Sequence, residues 1–426
     1  MNIWQIFYNS IVVPLLWSVF HVGGLFNKKI KRGIEGRADL FEHLQHNAAL
    51  LRGKFRLWFH ASSMGEFEQA KPIIAEIKRA YPDVDIIATF FSPSGFDHSK
   101  NYKLANIISY LPFDSQSNAE RFVELIKPNA AVMVRYDIWP NIIWALKKFN
   151  VPTFIANATM RQNSARKLPL IKQFHHSLYN SFTHILTVSE NDRTAFLDFQ
   201  FDRPMIEAIG DTRFDQVMMR KEDALKKNIL SARITTGKKI FIVGQSWPED
   251  EEVILPVIFK LQEIENDLLT IIVPHEPTVE HLEQLEYNLE GKTSFIRLSE
   301  INNYYKEKVI LVDSIGVLVA LYKYAHVVYI GGSFRQGVHN VLEPAVFGVP
   351  VAYGPKHTNS QEAVELAKLG GGFIIEDEKS LYRILRTLLD NEKERASSGA
   401  VAEEFVTTHC GATERFLQYI QPLLQQ

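Results

Sequence analysis

Two α/β domains, each built on a parallel sheet, are what this sequence predicts, and three observations carry the prediction. The 426 residues exceed one ordinary core, and domains of roughly 200 residues each would accommodate them. From about Phe55 onward, short apolar runs alternate with amphipathic helical stretches, the pattern of βα units. The composition, 46% hydrophobic and 23% charged, is that of a globular protein. A formal net charge of -2 argues against a general nucleic-acid binder, whose domain would be strongly basic. The lone cysteine, Cys410, cannot form an intramolecular disulfide, which fits a reducing compartment, and no Cys/His spacing suggests zinc.

The first element is an apolar segment. Residues 1–27 contain no Asp, Glu, Lys or Arg, carry Trp4, Phe7, Tyr8, Trp17, Phe20 and Phe26, and precede Lys28, Lys29, Lys31 and Arg32. Apolar length followed by a basic flank reads as a membrane anchor with the flank on the cytoplasmic side. Pro14, Asn9, His21 and Gly23-Gly24 interrupt a clean span, so a spanning helix and a tilted or interfacial one both fit. A cleaved signal peptide fits poorly, because no positive charge precedes the apolar stretch.

Strands are expected at 55–61, 86–91, 107–111, 130–134, 153–156 and 185–188, and then at 240–243, 268–273, 309–312, 327–330 and 349–352. The halves meet near 206–215, giving an anchor at 1–27, one domain at 28–208 and another at 209–426, whose last helix could cross back. In such folds ligands bind at the carboxyl ends of strands, and the informative loops fall there. They are His60-Ala61-Ser62-Ser63-Met64-Gly65-Glu66, Ser92-Pro93-Ser94-Gly95, Arg135-Tyr136-Asp137, Gly244-Gln245-Ser246-Trp247, Pro274-His275-Glu276-Pro277, Asp313-Ser314-Ile315-Gly316 and Gly331-Gly332-Ser333. The last reads as a strand breaking into a glycine loop and then a helix, with Glu343 one turn after His339. Such a loop suits a phosphate, and a carboxylate one turn on suits ribose hydroxyls. A plain crossover with packing glycines is the alternative.

Taken in order, these motifs resemble the 3-deoxy-D-manno-octulosonic acid (Kdo) transferases, which build the lipopolysaccharide inner core. The match runs from the N-terminal segment through Glu35-Gly36-Arg37, the loops above, Tyr110-Leu111-Pro112-Phe113-Asp114, Trp139-Pro140-Asn141, Ile155-Ala156-Asn157-Ala158 and Gly210-Asp211-Thr212-Arg213-Phe214-Asp215, to His339-Asn340, Glu343 and Gly354-Pro355. The resemblance implies a GT-B glycosyltransferase: two Rossmann-like domains facing a cleft, with an N-terminal membrane-anchor helix. It implies CMP-Kdo as donor, a lipid A precursor such as lipid IVA as acceptor, transfer with inversion, and a place at the cytoplasmic face of the inner membrane. No cofactor or metal is implied. Another GT-B transferase, a sugar-nucleotide epimerase or a non-catalytic membrane-bound binder are the alternatives.

The same resemblance makes Glu35 the base, although the family writes Glu directly before Arg and here Gly36 intervenes. A solvated charge in a basic helix is the other reading of Glu35. Donor binding is expected from His275, Asp313, Gly316, Gly331, Gly332, Ser333, His339, Asn340 and Glu343. Many relatives carry Arg where His275 stands, so either phosphate recognition is weaker here or Arg213 contributes more. The acceptor side is expected to use Arg37, Ser63, Gly65, Glu66, Ser94, Gly95, Asp137, Asn157 and Arg213. At Arg135 many relatives carry Glu, so one charge is reversed.

Overall fold

The computed structural model describes residues 3–425, and the chain divides into two compact units, Met1–Gln216 with Cys410–Gln426, and Val217–His409. The division falls after Gln216 rather than at 208, inside the continuous helix Thr212–Leu225.

The first unit holds β1 (Arg56–Ala61), β2 (Asp85–Phe90), β3 (Ile107–Tyr110), β4 (Ala130–Val134), β5 (Thr153–Ala158), β6 (His184–Thr187) and β7 (Met205–Ala208), all parallel, in the order β3-β2-β1-β4-β5-β6-β7. Leu57 faces Ile86 on one side and Ala130 on the other. Both faces of the central strands are covered, so β2, β4 and β5 are buried at every position and read as unbroken apolar runs. Serines set the helix starts: the hydroxyls of Ser63, Ser92, Ser115 and Ser189 each accept the N–H of the residue three positions on. The helix Ala412–Leu424 supplies the buried Phe416 and Ile420 to this unit's core.

The second unit repeats the plan with β8 (Lys239–Ser246), β9 (Leu268–Pro274), β10 (Phe295–Arg297), β11 (Val309–Leu311), β12 (Val327–Ile330), β13 (Val351–Tyr353) and β14 (Gly372–Ile374), ordered β10-β11-β9-β8-β12-β13-β14. In each sheet the order reverses once, between β1 and β4 and between β8 and β12. Crossovers leave those pairs in opposite directions and open a crevice at their carboxyl ends.

The apolar helix Ile3–Phe26 is long enough to cross a membrane, and only 6% of its apolar window is buried. It contains a π-helical stretch at Tyr8–Val12. One side is fastened to the first unit: Tyr8 donates to Asp114 Oδ2 at 2.9 Å, and Asn9 and Asn141 exchange side-chain hydrogen bonds at 2.9 Å. Trp4 packs on Phe174 near one end, and Phe20 packs on Phe91 near the other. Ile11, Leu15, Val19, Val22 and Phe26 remain exposed. Asn27 ends the helix and caps the next, Lys28–Glu35, by accepting the N–H groups of Lys29 and Ile30.

Candidate active site

In the first unit a chain of hydrogen bonds runs through the β1–β4 crevice to one carboxylate. Trp58 Nε1 donates to the Thr89 hydroxyl at 2.8 Å, and that hydroxyl lies 2.9 Å from His60 Nδ1. His60 Nε2 lies 2.8 Å from Asp137 Oδ2. A carboxylate only accepts, so Nε2 carries the proton, and the Thr89 O–H, with its lone pair given to Trp58, is free to donate to Nδ1. His60 Nδ1 also lies 3.1 Å from the Thr89 carbonyl, which can only accept, so the directions fixed in this chain are Trp58 to Thr89 and His60 Nε2 to Asp137. Burial opposes ionisation of Asp137, but hydrogen bonds from His60, Trp139 and Ser62 outweigh it and hold the carboxyl below its usual range.

Glu66 lies in the same crevice with the opposite tendency. Burial, then the charge of Asp137, pushes its carboxyl above the usual range, against the opposing amides of Ser62 and Ser63 at 2.6 and 3.2 Å. Ser63 and Glu66 form the capping box of the helix Met64–Ala80, and Gly65 beside them faces open space. Gly95 serves packing: a Cβ there would stand 2.8 Å from Phe90 and 3.2 Å from the Ser63 backbone. Ser94 Oγ sits 3.2 Å from Ser92 Oγ. Asn157, left-handed at φ 54°, is buried and spends its amide on Gln69 and Thr212. Arg213 belongs to this unit and pairs with Asp211 at 2.7 Å.

Arg37 does not offer its guanidinium to a ligand. Its N–H groups go to the carbonyls of Leu111, Gly33 and Phe91 at 2.7, 2.6 and 2.8 Å, beneath the rings of Phe91, Tyr110 and Phe113. Burial lowers its pKa to about 10. These bonds make Arg37 a clamp, which ties the helix Lys28–Glu35 to the carboxyl ends of β2 and β3. Gly36 is the residue that permits it, since a Cβ there would come within 2.5 Å of the Tyr110 ring. Glu35, on the last turn of that helix, is exposed, and its nearest cation is Lys31 at 3.8 Å.

In the second unit the glycine loop after β12 is already filled by the protein's own carboxylate. Asp250, fully buried, accepts from Gly332 N–H at 2.8 Å, Trp247 N–H at 3.0 Å and Tyr329 O–H at 2.7 Å. Gly331 N–H goes to Gly244 O, and the buried Ser333 hydroxyl accepts from Gly354 N–H at 2.6 Å. Within the loop, the Gly332 N–H is thus spent on the Asp250 carboxylate. No helix follows at His339. The next helix is the short Leu342–Ala345, so Glu343 is not one helical turn from His339, and it is buried against Arg220. Asn340 is exposed and caps Leu342. Asp313 accepts from the Ser299 N–H and hydroxyl, and Gly316, at φ 85°, borders open space.

What the loop builds is an aromatic stack at the ends of β8, β9 and β12. Trp247 lies on His275 with ring centroids 4.6 Å apart, and His275 lies on His339 at 4.4 Å and 9°. Trp247 Nε1 donates to His339 Nε2 at 2.9 Å, and the Arg335 guanidinium caps the outer face of Trp247 at 4.0 Å. Burial, then the neighbouring His275, lowers His339 to about 4, and burial also lowers His275. The stack is neutral near pH 7, so its permanent cation is Arg335. The sequence marks Gly244-Gln245-Ser246-Trp247 as a strand end, whereas Asp250 and Arg335 carry no such mark; the bulge at Gln245, between Gly244 and Ser246, immediately precedes Trp247.

A family description, 3-Deoxy-D-manno-octulosonic-acid transferase (kdotransferase), matches residues 34–216. The chain is 31% identical to the 3-deoxy-D-manno-octulosonic acid transferase of Aquifex aeolicus over 346 residues, 80% of this chain and 88% of that protein. It is 27% identical to that of Haemophilus influenzae over 432 residues, 99% of each. Among solved structures, UDP-GlcNAc 2-epimerase from Neisseria meningitidis bound to UDP-GlcNAc superposes with a TM-score of 0.60 at 14% identity, over 86% of this chain and 100% of that one, a likeness of fold alone.

Proposed function

The chain belongs to the 3-deoxy-D-manno-octulosonic acid transferase family and is a GT-B enzyme that transfers Kdo; from that premise we propose that it moves Kdo from CMP-Kdo to a lipid A precursor, lipid IVA, with inversion and with Glu35 as base. The observation that carries the proposal is the placement of Glu35: exposed, directly after the apolar helix, and fixed by the Arg37 clamp at the carboxyl edge of the first sheet. A lipid acceptor presents its sugar close to the bilayer, where such a carboxylate can meet a hydroxyl at about 3 Å. The hydroxyl oxygen then attacks the anomeric carbon, the bond to CMP breaks, and the proton passes to Glu35. His60, Asp137 and Glu66 line the acceptor side. On the donor side, the rim of Trp247, His275 and Arg335 suits the pyrimidine ring and phosphate of CMP, with His339 packed beneath. Incubation with CMP-Kdo and lipid IVA is expected to give a product heavier by one or more Kdo residues. No mass increment with any lipid A precursor would overturn the reading.

The membrane pose we infer is interfacial, at the cytoplasmic face of the inner membrane. Trp4 and Phe20, about 24 Å apart along a helix axis, both touch the first unit, so the helix lies along that unit with its opposite face available to lipid. Replacing both Leu15 and Val22 by Asp is expected to move the enzyme from the membrane to the soluble fraction with the same unfolding temperature, because an Asp in hydrocarbon costs about 2.5–3.5 kcal/mol. Full retention in sedimented membranes would exclude this face as the contact.

A further inference from the structure

Arg135 is left without employment by the reading above, and its setting is unusual. It is the first residue beyond β4, inside the β1–β4 crevice, and holds a left-handed φ of 63° that a non-glycine residue rarely adopts. Its backbone N–H donates to Ala156 O at 2.8 Å, fixing it at the β4–β5 edge. Its Nε is buried without a hydrogen-bond partner, and among the described residues its guanidinium forms no ion pair. Two carboxylates stand in the same crevice, yet neither is offered to it: Asp137 is held by His60 and Trp139, and Glu66 by the amides of Ser62 and Ser63. The half-exposed Tyr136 ring stands 5.8 Å from the guanidinium carbon.

A partly desolvated guanidinium is costly unless an anion meets its fork of donors. We propose that Arg135 is the receptor for a phosphate monoester carried by the acceptor sugar. The proposal rests on the reading of the first unit as the acceptor side. Arg135 supplies the paired donors for phosphate oxygens, while Asp137 supplies an acceptor for a sugar hydroxyl on the same molecule. The negative charge of Asp137 disfavours a bare inorganic anion, so the pair selects an anion attached to a polyol.

The test compares wild type, Arg135→Lys and Arg135→Gln on lipid A precursors carrying both phosphates, lacking one or the other, or already bearing a Kdo carboxylate. For the doubly phosphorylated acceptor, Arg135→Gln is expected to raise KM about tenfold, with kcat within about twofold, the loss of one charge-assisted bidentate contact. Arg135→Lys should fall between, because an ammonium keeps the charge and loses the fork. On the acceptor lacking the recognised phosphate, wild type and Arg135→Gln should share one KM. Equal effects on every acceptor, no effect on any, or an effect confined to the Kdo-bearing acceptor would each overturn the proposal. Should Arg135→Gln fail to fold, the Lys variant against wild type carries the same comparison. If wild type makes no product from any acceptor, the transferase reading fails instead. The inference then stands or falls on glucosamine phosphate, which should raise the unfolding temperature of wild type, less that of Arg135→Lys, and not that of Arg135→Gln.

Discussion

Glu35→Gln is expected to lower kcat for Kdo transfer by about 10²–10⁴-fold, the range lost when a positioned general base is removed, and to leave the unfolding temperature unchanged. The two halves of that expectation come from the same geometry. Glu35 sits on the last turn of the helix Lys28–Glu35 with a side chain 64% exposed and one loose pair to Lys31, so folding gains little from its charge. Its position is set instead by residues that the substitution leaves alone, the Arg37 clamp and the close fit of Gly36 against Tyr110. Glutamine keeps the shape and loses the proton acceptor. Full transfer by a folded Glu35→Gln enzyme would remove Glu35 from the mechanism. Asp137 and Glu66 would then be the carboxylates to examine, since their environments push their titrations apart.

Asp250→Ala should destabilise the second unit by roughly 3–9 kcal/mol, the sum expected when three buried donors lose a shared acceptor at about 1–3 kcal/mol each. The N–H groups of Gly332 and Trp247 and the Tyr329 hydroxyl all end on this carboxylate. Burial raises the pKa of Asp250, which reduces the net gain from its charge and sets Asp250→Asn as the milder variant. Urea unfolding gives the loss, and hydrogen exchange at Gly332 and Trp247 locates it. An unchanged midpoint would mean that the loop is held by something else, for instance the closeness of Gly331 to Gln245 O, where even a Cβ would come within 2.2 Å.

The parts of the fold that could be read from sequence are those whose burial is two-sided. Runs such as 130–134 and 327–330 are covered on both faces and stand out as apolar blocks. The strands that escaped notice, β7, β10 and β14, are all sheet edges. Each is half covered, with exposed or partly exposed residues such as Met205, Phe295 and Ile374, so its apolar run is broken. At the candidate site, the loops at strand ends were legible because Gly, Ser and Pro mark chain reversals. Their partners were not. That Gly332 answers to Asp250, that His60 answers to Thr89 and Asp137, or that Trp247 stacks on His275 depends on which strands neighbour each other, and sequence spacing carries no trace of it. The Arg37 clamp was hidden for the same reason: a cation beside a basic helix reads as solvated until the carbonyls of Phe91 and Leu111 arrive from two other strands.

The return of Cys410–Gln426 to the first unit has a consequence for how the protein is made. Phe416 and Ile420 are fully buried there, and Phe416 packs on Phe154 of β5 with ring centroids 6.0 Å apart. A ribosome translating this message finishes β1 to β7, ending at Ala208, just over two hundred residues before it delivers Phe416 and Ile420. Until then the nascent first unit has an apolar scar over β5 and the helix Met64–Ala80, while the second unit already has all of its residues. Synthesis order and folding order therefore differ: the inserted unit can mature first, and the unit that starts the chain is sealed later, by a helix translated after its neighbour.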